Sequence, residues 1–105
     1  MGEIIRLRDR PLNPNRAIQR MRRLLKEGAV SWAVGTRGKL QDRRLDMLDV
    51  ENVIRCGRVV DRSRPYDRWR YTLQGPSADG RNIWLIVEIG DNLIIITAYP
   101  RRRKR

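Results

Sequence analysis

The spacing of apolar positions changes part-way along the chain. In the first half it is helical. Ala17, Met21, Leu24 and Leu25 recur with a period near 3.6, and Asn13-Pro14 ahead of them suits a helix start, with Asn13 as cap and Pro14 in the first turn. Gly28 is the expected stop. Residues 29–34 (AVSWAV) read as a short strand or an extended link. Thr36 is expected to cap a brief helix running to about Arg44, with Leu40 turned inward. A further helix is marked by Asp46 as cap and by Asp49, three residues on, at the positive end of the helix dipole. Leu48 or Val50, with Val53 and Ile54, forms its buried face, and Gly57 ends it.

In the second half the period falls to two. Residues 58–61 start a strand. In residues 67–74, Trp69, Tyr71 and Leu73 alternate with Arg68, Arg70 and Thr72. Residues 82–89 (NIWLIVEI) and 92–99 (NLIIITAY) are near-continuous apolar runs of strand length, rich in β-branched residues. Asp79-Gly80 and Gly90-Asp91-Asn92 are turn signals that join these runs as antiparallel hairpins. The expectation is an α+β fold with N-terminal helices packed on a roughly four-stranded antiparallel sheet. Residues 1–15 read as an irregular arm, with a short extended piece at residues 3–8; residues 16–100 read as a single domain and residues 101–105 as a basic tail.

Charge narrows the function classes. Of 105 residues, 24 are Lys or Arg and 12 are Asp or Glu, a formal net charge of +12. Removing the five tail cations leaves +7, so the folded part is basic in its own right. That balance disfavours an acidic small-molecule enzyme and favours a polyanionic partner. The cations are mostly arginine, whose planar fork grips phosphate with two hydrogen bonds and stacks on bases. Base composition of a genome also produces arginine, so the bias alone does not separate the two origins. No histidine is present, which excludes Ser-His-Asp and Cys-His nucleophile systems and His-ligated zinc. The single Cys56 forms no internal disulfide and no cysteine-rich metal cage, and reads as a small buried hydrophobe; Trp32 and Trp84 read as core. Residues 1–15 lack the apolar run of a secretory signal, and no run reaches bilayer-spanning length. A cytoplasmic location without membrane association is the default.

The segments GTRGKLQDRRLDMLDVENVIRCGRVVD, RWRYTLQG, ADGRNIWLIVEI and LIIITAYP, in that order, resemble a bacterial family catalogued as domain of unknown function 4258. That family looks related to the small RelE-, BrnT- and ParE-like toxins. The resemblance implies helices on a four-stranded antiparallel sheet, endoribonuclease activity on mRNA without metal or other cofactor, and restraint by a cognate antitoxin with an acidic binding segment. The family's opening His-Ala-Arg-x-Arg-Met-x-x-Arg falls on Gly35, Arg37, Lys39, Leu40 and Arg43. Glycine thus stands where the histidine would be, and any cleavage has to run through basic residues and tyrosine.

Cleavage by 2′-OH attack needs a proton acceptor, a cation on the pentavalent phosphate and a proton donor to the leaving oxygen. Lys39, crowded by Arg37, Arg43 and Arg44, is the candidate base; the alternative is an ordinary exposed helix lysine. Arg70 is the candidate clamp on the transition state and Tyr99, at the end of the last strand, the candidate phenol. Arg37, Arg43, Arg68, Arg101, Arg102 and Arg103 are candidate phosphate contacts, and Tyr66 a candidate base-stacking ring. For each the alternative is a solvated side chain or a packed anchor. Glu88 interrupts an apolar strand, either as a base or as the partner of a nearby arginine. In helix 1, Arg16, Arg20, Arg22, Arg23 and Lys26 form either the solvated side of the helix or a phosphate-facing surface. The leading expectation is a toxin of a toxin–antitoxin pair that cleaves RNA, free or on the ribosome. A non-catalytic nucleic-acid binder of the same fold is the alternative, and a docking module for anionic membrane or acidic protein the third.

Overall fold

The computed structural model describes residues 12–64 and 68–101. Its elements run α1 (Pro14–Lys26), β1 (Val30–Trp32), α2 (Thr36–Asp42), α3 (Met47–Cys56), β2 (Arg58–Ser63), β3 (Arg70–Pro76), β4 (Asn82–Ile89) and β5 (Leu93–Pro100). They form a five-stranded sheet in the order β1-β5-β4-β3-β2. Strands β2 to β5 make the expected antiparallel meander. The fifth strand is β1, which pairs parallel to β5 with Val30 opposite Leu93 and Trp32 opposite Ile95. The expectation of about four antiparallel strands is corrected accordingly: three residues give too short a period to declare a strand, and the partner lies far along the chain.

Capping decides where the helices begin. The Asn13 side chain accepts from the Arg16 amide at 2.9 Å, with Pro14 in the first turn. Asp46 and Asp49 form a reciprocal capping box, each carboxylate accepting from the other's amide. In α2 the cap differs from expectation. Gly35, in the left-handed region at φ 80°, is the N-cap, and the Thr36 hydroxyl instead donates to the Ile96 carbonyl at 2.7 Å. This bond ties α2 to the edge of β5 beyond the reach of β1. Helix α2 ends at Asp42, and Arg44 turns the chain with φ 57°.

The core lies between the helices and one sheet face. Ala17, Met21 and Leu24 of α1, Leu40 of α2, and Val50, Val53 and Ile54 of α3 meet Tyr71, Leu73, Leu85, Val87, Leu93 and Ile95 of the sheet. Between the two candidates in α3, Val50 is buried and Leu48 is 65% exposed. Cys56 is exposed, contrary to expectation, because it falls off the 50–53–54 face. Trp32 and Trp84 are half-buried instead of core; Trp84 alternates with the buried Ile83 and Leu85 and so faces away from the helices. At the junction of α3 and β2, Gly57 and Gly75 meet backbone to backbone. A Cβ on Gly75 would lie 2.7 Å from the Gly57 Cα, so a side chain at either position is excluded.

Candidate nucleic-acid interface

Among the described residues no helix packs on the sheet face turned away from the core. Its pairing registers set out two rows of side chains that matter. Arg58, Gln74, Trp84 and Tyr99 lie across β2, β3, β4 and β5 at one end. Ser63, Arg70, Glu88 and Ile94 lie across the other end. Between them run Thr72, Ile86 and Thr97.

At the first end, rings and guanidinium groups interleave. The Trp84 and Tyr99 rings are 6.3 Å apart, centroid to centroid, at an interplanar angle of 37°. Arg43, just past the end of α2, reaches round the β5 edge. Its Nη1 donates to Thr97 Oγ1 at 3.1 Å and to the Ala98 carbonyl at 2.9 Å, and its Cζ lies 5.9 Å from the Tyr99 centroid. Beyond β5 the Arg101 amide donates to the Asn82 carbonyl at 2.9 Å, which seats the Arg101 Cζ 4.5 Å over the Trp84 ring. The sequence Arg43–Tyr99–Trp84–Arg101 is therefore a continuous cation–aromatic strip. The Trp84 indole N–H is buried with no hydrogen-bond partner among the described residues, a cost of about 1–3 kcal/mol in an ordinary interior.

The β3–β4 turn holds Arg43 in place. Arg81 donates from Nη1 to the Arg43 carbonyl at 3.2 Å and from Nη2 to the Arg44 carbonyl at 2.7 Å. Its Nε donates to Asp79 at 3.0 Å, while Asp79 also accepts from the Ser77 hydroxyl. These two contacts, Ser77 first and Arg81 second, hold the Asp79 carboxyl below its ordinary pKa of 3.8. The Ala78 amide donates to Asp49 at 2.9 Å, so the same turn is fastened to α3. Arg81 was not among the sequence-derived candidates; its signal is the Asp-Gly-Arg turn.

At the second end, Glu88 is 8% exposed and accepts from Arg70 Nε at 2.9 Å, with Arg68 4.0 Å away. Arg70 is thus engaged by a carboxylate. Glu88 and Trp84 are four residues apart on β4, about 13 Å at strand rise, so Arg70 and Tyr99 share the face without meeting. Lys39 is exposed on α2, one turn ahead of Arg43. Arg37 lies 5.3 Å over the Trp32 ring, toward β1. Tyr66, Arg102 and Arg103 fall outside the described residues. Among the described residues no group of three His, Cys, Asp or Glu could hold a metal ion, and no helix is long and apolar enough to cross a membrane.

Residues 37–100 match the model of a protein family described as Domain of unknown function (DUF4258). The chain belongs to that family. The matched part of this DUF4258 chain begins within α2 and ends with β5, so it contains Arg43, Arg81, Trp84 and Tyr99 and leaves out α1 and β1. No curated protein and no solved structure matches the chain.

Proposed function

We propose that this DUF4258 protein is a toxin of a toxin–antitoxin pair, with the RelE-like architecture, that binds single-stranded RNA on the sheet face turned away from the helices and cleaves it. The observation that supports this is the Arg43–Tyr99–Trp84–Arg101 strip. Aromatic rings take unpaired bases by stacking, at about 1–3 kcal/mol per base, and interleaved arginines take the phosphates between them. In cleavage, the 2′ oxygen attacks phosphorus and the P–O5′ bond breaks, leaving a 2′,3′-cyclic phosphate and a 5′ hydroxyl. Arg43, fixed on β5, neutralises the pentavalent phosphate. Lys39, one helical turn away, accepts the 2′ proton when its amine is in the neutral form, and the Tyr99 hydroxyl protonates the departing oxygen. Arg70 and Arg68, balanced by Glu88, take the strand farther along. An acidic segment of the antitoxin covers the same basic face.

The second reading is a binder without catalysis. It is favoured by Gly35, which stands at the exposed, left-handed cap of α2 where the family pattern has histidine. Labelled single-stranded RNA, free and in a translating extract, separates the two. Arg43→Ala and Tyr99→Phe are expected to cut the cleavage rate by about 10²-fold or more and to weaken binding far less. Wild-type protein that binds in both formats and never cleaves establishes the binder. Absence of salt-dependent RNA binding removes both readings.

A further inference from the structure

Helix α1 carries five cations, Arg16, Arg20, Arg22, Arg23 and Lys26, and no acid. One of them is structural. Arg22 donates from Nε to the Ile54 carbonyl at 2.9 Å and from Nη2 to the Arg55 carbonyl at 2.8 Å, which caps the C-terminal end of α3. The other four are exposed. Arg23 has only a loose pair with Glu27, at 3.7 Å with both side chains more than half exposed, an interaction of little worth. Among the described residues Arg16, Arg20 and Lys26 make no ion pair. At 3.6 residues per turn, Arg16, Arg20 and Arg23 form one stripe, about a third of a turn away from Arg22.

This stripe works against the helix that carries it. Arg16 and Arg20 are like charges at i,i+4, which repel. Arg16 stands in the first turn, where the helix dipole disfavours cations, and no acid there offsets it. Among the described residues neither the Arg16 nor the Arg20 guanidinium group makes a hydrogen bond or an ion pair. The stripe also differs in kind from the sheet face: α1 has no aromatic residue, so it offers phosphate contacts and no stacking. The stripe lies on α1, whereas the rings lie on the sheet face turned away from the helices.

We propose that Arg16, Arg20 and Arg23 form a second RNA surface that takes the phosphate backbone of a base-paired segment. A-form duplex hides its base edges in a deep, narrow groove and is recognised by shape and backbone, which a line of arginines suits. Together with the sheet face, the substrate is an unpaired strand adjoining a duplex. That last step rests on the reading of the sheet face given above; the duplex surface itself does not.

Three probes test this with the full chain: a short unpaired oligoribonucleotide, a blunt duplex, and a hairpin with an unpaired tail. The variant Arg16→Gln/Arg20→Gln/Arg23→Gln is expected to bind the unpaired oligomer as wild type does. Its affinity for the duplex and the tailed hairpin should fall about tenfold or more at low salt, with a shallower salt dependence. Its melting temperature should equal or exceed the wild-type value, because the repulsion within α1 is gone. Tyr99→Leu should do the reverse, losing the unpaired oligomer and keeping the duplex. If the unpaired oligomer fails to bind wild type while duplex binding still depends on the stripe, the sheet-face reading fails and the duplex surface stands. Equal loss on all three probes, no loss on the duplex, or stripe-dependent binding to anionic vesicles without duplex binding overturns the proposal.

Discussion

Arg81 sets the origin of the Arg43 side chain while touching only its backbone: two guanidinium nitrogens hold the carbonyls of Arg43 and Arg44 at 3.2 and 2.7 Å. Arg44 is a non-glycine residue at φ 57°, a conformation that costs about 1–2 kcal/mol. The hairpin turn between β3 and β4 thus stabilises a strained link between α2 and α3. In doing so it fixes where Arg43 leaves the chain to reach Thr97, Ala98 and Tyr99.

Arg81→Met should therefore cost about 1–3 kcal/mol through loss of its charge-assisted hydrogen bonds, and should weaken RNA binding although Arg81 lies outside the strip. Combined with Arg43→Ala, its effect on RNA affinity should be much less than additive, because both changes remove the same contact. Urea denaturation and binding titrations on the two single variants and the double variant measure both effects.

Ile86 and Ile95 should part company on substitution by aspartate. Ile95 is fully buried beneath the helices, whereas Ile86 lies on the face turned away from them and is half-buried. An unpaired carboxylate at Ile95 has a cost comparable to the whole stability of a domain, about 5–15 kcal/mol. Ile95→Asp should be unfolded and Ile86→Asp folded, by circular dichroism and thermal melting.

Gly75→Ala should destabilise the domain by about 1–3 kcal/mol or more, since the new Cβ would lie 2.7 Å from the Gly57 Cα and 3.1 Å from the Val53 carbonyl oxygen. Backbone atoms on both sides cannot move as a side chain would. Gly38, with nothing within 4 Å of its Cβ position, supplies the contrast. Gly38→Ala should be neutral or slightly stabilising, because it lies in a helix where alanine loses less backbone entropy. Chemical denaturation of both variants gives the comparison.

The Asp79 carboxyl, held below its ordinary value by the Ser77 hydroxyl and Arg81, contributes stability that is present above pH 3.8 and is lost as pH falls through the lowered value. Following its side-chain carbon resonance with pH should give a midpoint below 3.8. In Asp79→Asn the acid limb of the stability profile should be flatter than in wild type. A midpoint above 3.8 would mean that the turn does not hold Arg81 as described.

The helices were legible because their signals are local. Asn13-Pro14, the Asp46–Asp49 box and the Gly57 stop act within a few residues, and each stands where the spacing predicts. The meander was legible for the same reason, since its turns carry their own residues. The parallel pairing of β1 was not, because nothing in VSW specifies Leu93 as a partner. The apolar run 82–89 concealed Trp84: a strand with apolar residues on both faces looks buried on both, and only the one-sided helix layer separates Ile83 from Trp84. At the candidate site, Tyr99 and Arg43 could be singled out by residue type. Arg81 could not, because its role is exercised on carbonyls, which have no letter in the sequence.

The parallel pairing of β1 with β5 also sets an order on assembly. Val30 waits for Leu93, and three core residues, Leu93, Ile95 and Ala98, arrive on that same strand. During synthesis the helices and the first hairpins are complete while the β4 run still presents an unpaired apolar edge, the kind of surface on which unfinished chains associate. Closure is late and long-range, which slows folding relative to a helical domain of this size. A chain truncated before β5 loses its first strand together with its last, and a fragment carrying all three helices has no finished sheet to lie on.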